Sequence, residues 1–157
     1  MSSANKNLSE YSQKNIIDIS SKRFAIVVSE WNEEVTEKLY EGAHQTLLKH
    51  GAEEGNIVRK NVPGSYELSL GAQYAAIDDF DAVICLGCVI QGETRHFDFI
   101  CQAVAQGITM VALKYNKPVI FGVLTPDNQQ QALDRAGGKH GNKGDEAAIA
   151  AIKMLGF

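Results

Sequence analysis

The sequence predicts an α/β fold, a three-layer α/β/α sandwich in which helices cover both faces of a four-stranded parallel sheet. Short apolar runs alternate with helical periods along the chain, which is the pattern of consecutive βαβ units. A helical stretch separates each pair of successive runs, so right-handed crossovers would leave the strands parallel. The 157 residues, 45% hydrophobic and 22% charged, suffice for one domain with a substantial core.

The individual elements follow from the same patterns. The first apolar run, "RFAIVVS", has the length of a buried strand, and apolar residues then recur at helical steps until Gly51, a suitable helix cap. The predicted strands are 23–29, 56–62, 80–90 and 117–125, and the predicted helices are 35–50, 66–77, 94–114, 127–136 and 145–155. Residues 1–15 form a polar N-terminal arm, residues 16–157 form one domain, the segment 15–20 fits a short added N-terminal strand, and the glycine-rich segment 137–144 is a loop.

Charge and hydropathy exclude several classes of partner. The formal net charge is −4 and the pI is near 5.5, whereas a protein that binds the nucleic-acid backbone needs a basic face. No stretch approaches about 18 consecutive apolar residues, and the N-terminus "MSSANKNLSEYSQKN" lacks the apolar core of a signal peptide. We therefore expect a cytoplasmic protein that binds neither nucleic acid nor membranes.

The cysteines include a C-x-x-C pair, a spacing known from redox and zinc sites. Cys85 and Cys88 lie in a predicted strand, where residues three apart point to opposite faces. Such a pair can neither share a metal ion nor close an unstrained disulfide. We therefore interpret both as small buried hydrophobic residues and expect Cys101 to be a reduced thiol as well.

Polar and reactive side chains follow the carboxyl ends of all four predicted strands. In open parallel sheets, ligands bind beyond these ends, so the segments form one candidate site. They comprise Trp31 and Asn32 after the first strand; Pro63, Gly64, Ser65, Tyr66 and Glu67 after the second; Gly92, Glu93, Thr94, Arg95 and His96 after the third; and Arg135, Lys139, His140 and Lys143 beyond the fourth.

Several of these residues have a structural as well as a functional interpretation. Trp31, the only tryptophan, either offers a flat apolar face to an aromatic ligand or covers the first helix. Glu67 either binds a ligand or is simply favoured by the dipole of the helix that it begins. His96 lies about one turn inside a predicted helix and can transfer protons near neutral pH, although helical histidines are more often structural.

Two of the segments have features of a phosphate site. The "GET" segment at 92–94 precedes a long predicted helix, whose unpaired N–H groups favour an anion, and Gly92 permits close approach to the backbone. Arg135 and Lys143 can hold a phosphate, or the "RAGGKHGNKG" cations form a solvated loop. The combination favours a site where an aromatic or carbonyl ligand and an anionic group meet near His96.

The same segments resemble those of the lumazine synthase family of riboflavin biosynthesis. The resemblance covers residues 24–154 and rests on the ordered segments "VVSEWN", "KHGA", "VPGSYEL", "LGCVIQGETRHFDF", "KPVIFGVLT" and "DRAGGKHGNKG". It implies a flavodoxin-like fold and the condensation of 5-amino-6-(D-ribitylamino)uracil with 3,4-dihydroxy-2-butanone 4-phosphate to 6,7-dimethyl-8-ribityllumazine, with release of phosphate and water. The family uses neither a metal ion nor an organic cofactor.

The resemblance also implies roles for individual residues. His96 matches the family's proton donor and acceptor. The positions that match its pyrimidine and ribityl pocket are Trp31, Asn32, Ser65, Tyr66, Glu67, Cys88, Val89 and Ile90, with Phe121 contributed by a neighbouring subunit. The positions that match its binding site for the phosphate substrate are Glu93, Thr94, Arg135 and Lys143.

The resemblance further implies a homo-oligomer. Family members form pentamers, some of which close into an icosahedral shell of twelve pentamers. The compact "AGGKHGN" segment favours the shell, since members that stay pentameric often carry an insertion there. Riboflavin synthase is a candidate partner.

Two other functions are compatible with the same scaffold. A lumazine- or flavin-binding protein without catalysis would lack His96 or Arg135, and both are present. A flavodoxin-like electron carrier needs a hydroxyl-rich phosphate loop after the first strand, where this chain has the acidic "SEWNEEV".

Overall fold

A four-stranded parallel sheet with the strand order β2-β1-β3-β4 forms the centre of the structure, a computed structural model that describes residues 17–157. Phe24 of the first strand lies opposite Ile57 on one side and Ala82 on the other. The four predicted strands and their parallel pairing are therefore confirmed. Their bounds are Phe24–Ser29 for β1, Ile57–Val62 for β2, Ala82–Cys88 for β3 and Val119–Leu124 for β4.

Helices cover both faces of this sheet. In the part of the chain that the structure describes, they are α1 (Glu33–Lys49), α2 (Leu68–Ile77), α3 (His96–Tyr115), α4 (Gln129–Leu133) and α5 (Lys143–Leu155), with short 3-10 turns at Glu54–Asn56 and Ser65–Glu67. The helices α1 and α5 pack on one face of the sheet, and α2 and α3 pack on the other. This is the three-layer, flavodoxin-like sandwich that the sequence predicts.

The central strands are buried on both faces, which explains their unbroken apolar runs. In β1, Phe24, Ile26 and Val28 face α1 and α5, whereas Ala25 faces α2 and α3. Burial of each large apolar side chain contributes about 1.5–3 kcal/mol relative to exposure. Ser29 ends the strand and is fully buried as well, so a polar group lies in the core at the carboxyl end of β1.

The glycine-rich segment 137–144 is not the irregular loop that the sequence predicts. β5 (Ala136–Gly138) and β6 (Gly141–Asn142) form a short antiparallel hairpin. Gly137 and Gly141 have φ angles of 102° and 76°, which favour glycine. Strands of two or three residues leave no periodic signal in a sequence, so the pattern could not reveal them. The predicted helix 127–136 is also shortened to α4, because the chain turns into β5 at Ala136.

The N-terminal segment is described only in part. The predicted polar arm and residues 15–16 of the predicted added strand lie outside the described residues. Residues 17–20 are in neither a helix nor a strand, because the Ser20 N–H donates to the Asp18 side chain at 2.9 Å in a local turn. Ile19 is nevertheless fully buried against the core.

Helix α3 leaves much of its apolar surface uncovered. By length and composition its 20 residues could cross a membrane, but core helices of globular proteins can have the same length and composition. Phe99, Met110 and Leu113 are 64%, 70% and 79% exposed. A face with several exposed large apolar side chains is typical of an interaction surface.

Candidate active site

Hydrogen bonds gather the ends of β1, β2 and β3 at one edge of the sheet. The Trp31 N–H donates to the Pro63 carbonyl oxygen at 3.2 Å, and Asn32 Nδ2 donates to the Cys88 carbonyl oxygen at 2.8 Å. Asn32 has a φ of 63°, a conformation that asparagine adopts more readily than most residues, and it turns the chain sharply into α1. The segments that follow the first three strands are therefore neighbours, as predicted.

The side chains above this edge are open to solvent. Trp31 is 72% exposed and Tyr66 is 58% exposed, and within residues 17–157 neither ring contacts another aromatic ring or a cation. Glu67 ends the Ser65–Glu67 turn before α2 and is also exposed. An exposed aromatic face near a free carboxylate suits an aromatic ligand that carries hydroxyl groups.

Beneath these groups lies a buried floor that contains two serine hydroxyls. Ser65 is 5% exposed and Ser29 is fully buried, and neither hydroxyl has a hydrogen-bond partner among the described residues. A Cβ added at Gly87 would lie 2.6 Å from Ser65 Oγ and 3.3 Å from Ser29 Oγ, so only glycine fits between them. Ser29 is not among the predicted site residues, although a serine that ends a buried strand is a signal that could have identified it.

The turn before α3 presents backbone and hydroxyl groups to solvent. The Gln91 N–H donates to the Pro126 carbonyl oxygen at 3.0 Å, which holds the chain beside the end of β4 before it turns. Residues 91–96 are all exposed, and Thr94 Oγ1 accepts a hydrogen bond from the His96 N–H at 3.4 Å. The helix start has no other side-chain cap, so its N–H groups and its dipole favour an anion at Glu93 and Thr94.

The His96 side chain is exposed and forms no hydrogen bond or ion pair with another described residue. The adjacent Arg95 forms an ion pair with Asp98 at 3.8 Å instead. Helix α3, which begins at His96, packs against the Ser65–Glu67 turn, so the histidine belongs to the same edge of the sheet. An imidazole without a partner is available to exchange protons with a ligand.

The β5–β6 hairpin brings Arg135 and Lys143 together. The Lys143 N–H donates to the Arg135 carbonyl oxygen at 2.9 Å. Arg135 Nη1 donates to the Gln131 carbonyl oxygen at 3.0 Å, and Lys143 Nζ forms an ion pair of 2.6 Å with Glu146, which is only 8% exposed. Each cation keeps further N–H donors for an anion. The sequence did not single out Glu146, because acids are common in the first turn of helices.

Neither of these two cations is hydrogen-bonded or ion-paired to the turn before α3 within the described residues. No hydrogen bond or ion pair in residues 17–157 connects either cation with residues 93–96. Phe121 is also separate from the pyrimidine-side residues, since it lies in the middle of the edge strand β4 and is 43% exposed. Within the described residues, the two cations therefore form a group of their own, without a hydrogen bond or ion pair to the predicted residues at the ends of β1, β2 and β3.

The residues at the end of β3 are packed as the sequence predicts. Cys85 faces α2 and α3, whereas Cys88 faces α1 and α5, which confirms that the pair points to opposite faces. Burial raises the pKa of both thiols to about 12, so both are neutral near pH 7. Val89 and Ile90 are half-buried and continue the chain toward the exposed turn.

Comparison with known proteins identifies one family over almost the whole chain. A family model described as 6,7-dimethyl-8-ribityllumazine synthase matches residues 21–157. The protein of that name from Cytophaga hutchinsonii is 72% identical over 156 residues, which cover 99% of this chain and 98% of the relative. Those from Parabacteroides distasonis and Flavobacterium johnsoniae are 56% and 55% identical, cover 100% and 98% of this chain, and are themselves covered over 99% and 82% of their length. The chain belongs to the 6,7-dimethyl-8-ribityllumazine synthase family.

Proposed function

We propose that the carboxyl edge of the sheet is the active site of a lumazine synthase and that His96 transfers its protons. As a member of this family, the chain is a transferase of riboflavin biosynthesis that condenses 5-amino-6-(D-ribitylamino)uracil with 3,4-dihydroxy-2-butanone 4-phosphate to 6,7-dimethyl-8-ribityllumazine. The observation that supports the site best is the start of α3, where a histidine without partners follows an exposed turn suited to phosphate. We assign the reaction to the cytoplasm.

The pyrimidine substrate binds across the ends of β1 and β3 in this proposal. The exposed ring of Trp31 stacks on the pyrimidine, and the backbone of residues 88–90 lines the pocket. Asn32 supports that backbone through its hydrogen bond to the Cys88 carbonyl oxygen. Glu67 accepts hydrogen bonds from the ribityl hydroxyl groups, and Ser65 and Tyr66 lie on the same turn.

The phosphate of the second substrate binds at the turn before α3. The Thr94 hydroxyl and the Glu93 N–H donate hydrogen bonds to it, and the dipole of α3 adds to the attraction. Arg135 and Lys143 neutralise its charge, with Arg135 able to donate two parallel hydrogen bonds. Because neither cation is bonded to this turn within one chain, we assign both, together with Phe121, to a site shared by neighbouring chains.

The chemistry requires proton transfers and no change of oxidation state. The 5-amino group of the pyrimidine attacks the ketone to give a carbinolamine, which loses water to form an imine. Elimination then expels phosphate, and the ribitylamino nitrogen closes the second ring with loss of another water. His96 accepts and returns protons in these steps, since its exposed imidazole forms no hydrogen bond or ion pair with another described residue. Holding the two substrates side by side supplies part of the acceleration.

We propose that the chain assembles into pentamers, which close further into an icosahedral shell. Apolar side chains on α2, α3 and the edge strand β4 are exposed in the single chain, and an oligomer would cover them. Riboflavin synthase, which uses the lumazine product, is the proposed partner. The exposed side chains that support an oligomer are Leu70, Tyr74, Ile77, Phe99, Met110, Leu113 and Phe121.

The reaction is tested by mixing the purified protein with both substrates and following lumazine fluorescence. Enzyme-dependent formation above the uncatalysed rate, slowed by His96→Ala, is the expected result. Fluorescence at the background rate, together with tight binding of a lumazine or flavin, would make the chain a binding protein instead of an enzyme.

The assembly is tested by light scattering of the same preparation. A mass of about sixty chains supports the shell, and a mass near five chains limits the assembly to the pentamer. A monomer that is fully active at all dilutions contradicts the shared site.

A further inference from the structure

The Asn142 side chain joins the β5–β6 hairpin to two helices, with one hydrogen bond to α5 and one to α1. Its Oδ1 accepts a hydrogen bond from the Gly144 N–H at 2.8 Å and thereby caps α5. Its Nδ2 donates to the Lys38 carbonyl oxygen within α1, also at 2.8 Å. Its backbone belongs to β6, where it lies opposite Ala136. One side chain therefore connects the hairpin, α5 and α1.

The helices that Asn142 connects approach each other closely at two glycines, Gly42 of α1 and Gly144 of α5. A Cβ added at Gly144 would overlap the Leu39 carbonyl oxygen, and a Cβ added at Gly42 would lie 2.6 Å from Asn142 Cγ and would overlap the Asp145 carboxylate. Backbone groups packed this closely cannot shift independently. The hairpin is therefore held in one position relative to α1.

The two cations of the proposed phosphate site lie on either side of this connection. Lys143 follows Asn142 in the chain, and its N–H is bonded to the Arg135 carbonyl oxygen at 2.9 Å. A displacement of Asn142 would therefore move the backbone of both cations. Asn142 is engaged through both its amide oxygen and its amide nitrogen, so its side chain is fixed between α1 and the start of α5.

We propose that Asn142 is a positioning residue for the condensation, which places Arg135 and Lys143 for the phosphate of the butanone substrate without touching it. The proposal rests on the function proposed for these two cations. The short amide side chain of Asn142 supplies the acceptor for the Gly144 N–H and the donor for the Lys38 carbonyl oxygen together. Aspartate supplies acceptors alone, and serine can cap α5 but is too short to reach α1 as well.

The test removes the Nδ2 donor of Asn142 and keeps the side-chain oxygen that caps α5. In Asn142→Asp, the side-chain shape and the acceptor for the Gly144 N–H are retained, but an acceptor faces the Lys38 carbonyl oxygen. The KM for the butanone phosphate and the inhibition constant of inorganic phosphate are each expected to rise about tenfold. The KM for the pyrimidine substrate is expected to change by less than about twofold. Asn142→Ser should show the same split, and it provides the test if the aspartate variant does not fold.

The matched control is Asn56→Asp. Asn56 Nδ2 also donates to a backbone carbonyl oxygen, that of Ser20 at 3.1 Å. Asn56 directly precedes β2, however, and so lies at the amino end of the sheet. This variant should lower the melting temperature and leave both KM values unchanged. If both Asn142 variants behave in the same way as Asn56→Asp, Asn142 is only structural and the proposal is overturned.

Arg135→Ala, measured in parallel, separates this proposal from the function on which it rests. If Arg135→Ala raises the KM for the butanone phosphate and the Asn142 variants do not, the positioning role fails while the assignment of the cations stands. If Arg135→Ala also leaves this KM unchanged, the proposed role of the cations fails, and the positioning role fails with it.

Discussion

The amino and carboxyl ends of the parallel sheet differ in how many of their polar side chains are paired within the chain. At the amino end, Asp81 accepts hydrogen bonds from the Arg23 N–H at 2.8 Å and from Lys22 Nζ at 3.2 Å. The Arg23 guanidinium donates to Asp79 and lies over the ring of Phe80, 4.9 Å from its centroid. Each charged group there is matched by a neighbour in the same chain.

At the carboxyl end, several polar groups have no partner among the described residues. His96 and Glu67 are exposed and form no ion pair within residues 17–157, and the hydroxyls of Ser29 and Ser65 are buried without a partner. Buried polar groups in folded proteins are nearly always hydrogen-bonded, and two of the three buried hydroxyls without a partner in residues 17–157 lie at this end, while the third is that of Ser69 in α2. Among the charged groups of the proposed site, Lys143 keeps its ion pair with Glu146, whereas Glu67 and the His96 side chain form no ion pair within residues 17–157 and are available to the proposed substrates.

The strongest test of this difference is His96→Ala. We expect kcat to fall about 100-fold, because the variant lacks the general acid and base, while both KM values change little. His44→Ala is the control, since His44 lies on α1, where its Nε2 is 3.0 Å from Glu54 Oε1, and it should be dispensable for turnover. Steady-state lumazine formation measures both variants. If His96→Ala and the unsubstituted protein have equal kcat values, His96 takes no part in the mechanism.

Arg135→Ala should have the next largest effect. Loss of a charge-assisted hydrogen bond to phosphate should raise the KM for the butanone phosphate about 10- to 100-fold, with a smaller effect on the pyrimidine KM. Arg23→Ala removes an arginine from the amino end and should leave both KM values unchanged. A similar rise in both variants would show that the effect is a general one of charge or folding.

Asp81→Asn tests the amino end, where we expect a loss of stability and no loss of activity. Burial tends to raise the pKa of Asp81, but hydrogen bonds from the Arg23 N–H and Lys22 outweigh it, so the pKa is lowered. Stabilisation by a carboxylate with a lowered pKa is present above its unfolded pKa and is lost as the pH falls through the folded pKa. Chemical denaturation at pH 7 should therefore show a loss of about 1 kcal/mol.

The same difference should shrink below about pH 4, as measured by denaturation at about pH 3. A loss of turnover in Asp81→Asn without a loss of stability would contradict the division between the two ends of the sheet.

The smallest expected effect, with the opposite sign, is that of Asp145→Asn. Burial raises the pKa of Asp145 despite a hydrogen bond with Thr46, so the carboxylate is disfavoured in the fold above that pKa and this cost disappears as the pH falls through it. The variant should melt about 1–2 °C higher near pH 7 and show no difference near pH 3. Calorimetry measures both melting temperatures. A lower melting temperature for Asp145→Asn than for the unsubstituted protein at neutral pH would mean that the start of α5 favours the charged carboxylate.

The parts of this molecule that the sequence reveals are those with a long and regular pattern. β1 and β3 are buried on both faces, so their apolar runs are unbroken, and α3 follows its turn with a clear helical period. The open residues at the carboxyl end were predictable as well, because Trp31 and residues 91–96 are polar interruptions at positions where parallel sheets bind ligands.

The remaining features depend on contacts between distant segments. The β5–β6 hairpin has strands of two or three residues, and the role of Asn142 depends on a backbone approach between α1 and α5 that no local pattern encodes. Glu146 looks like an ordinary residue of a helix start, so the sequence gives no sign of its ion pair with Lys143. Phe121 had an expected role only through family resemblance, because in the proposed oligomer a neighbouring chain would complete its environment.

Trp31 makes the carboxyl end of the sheet visible to fluorescence spectroscopy. It is the only tryptophan of the chain and is largely exposed in the fold. An indole that is already in water changes its emission little when the chain unfolds, whereas an aromatic ring stacked on it alters the emission directly. If the pyrimidine stacks on Trp31 as proposed, intrinsic emission would report ligand binding rather than folding, so ligand titrations need no added label. Unfolding of the same sample is better followed by circular dichroism.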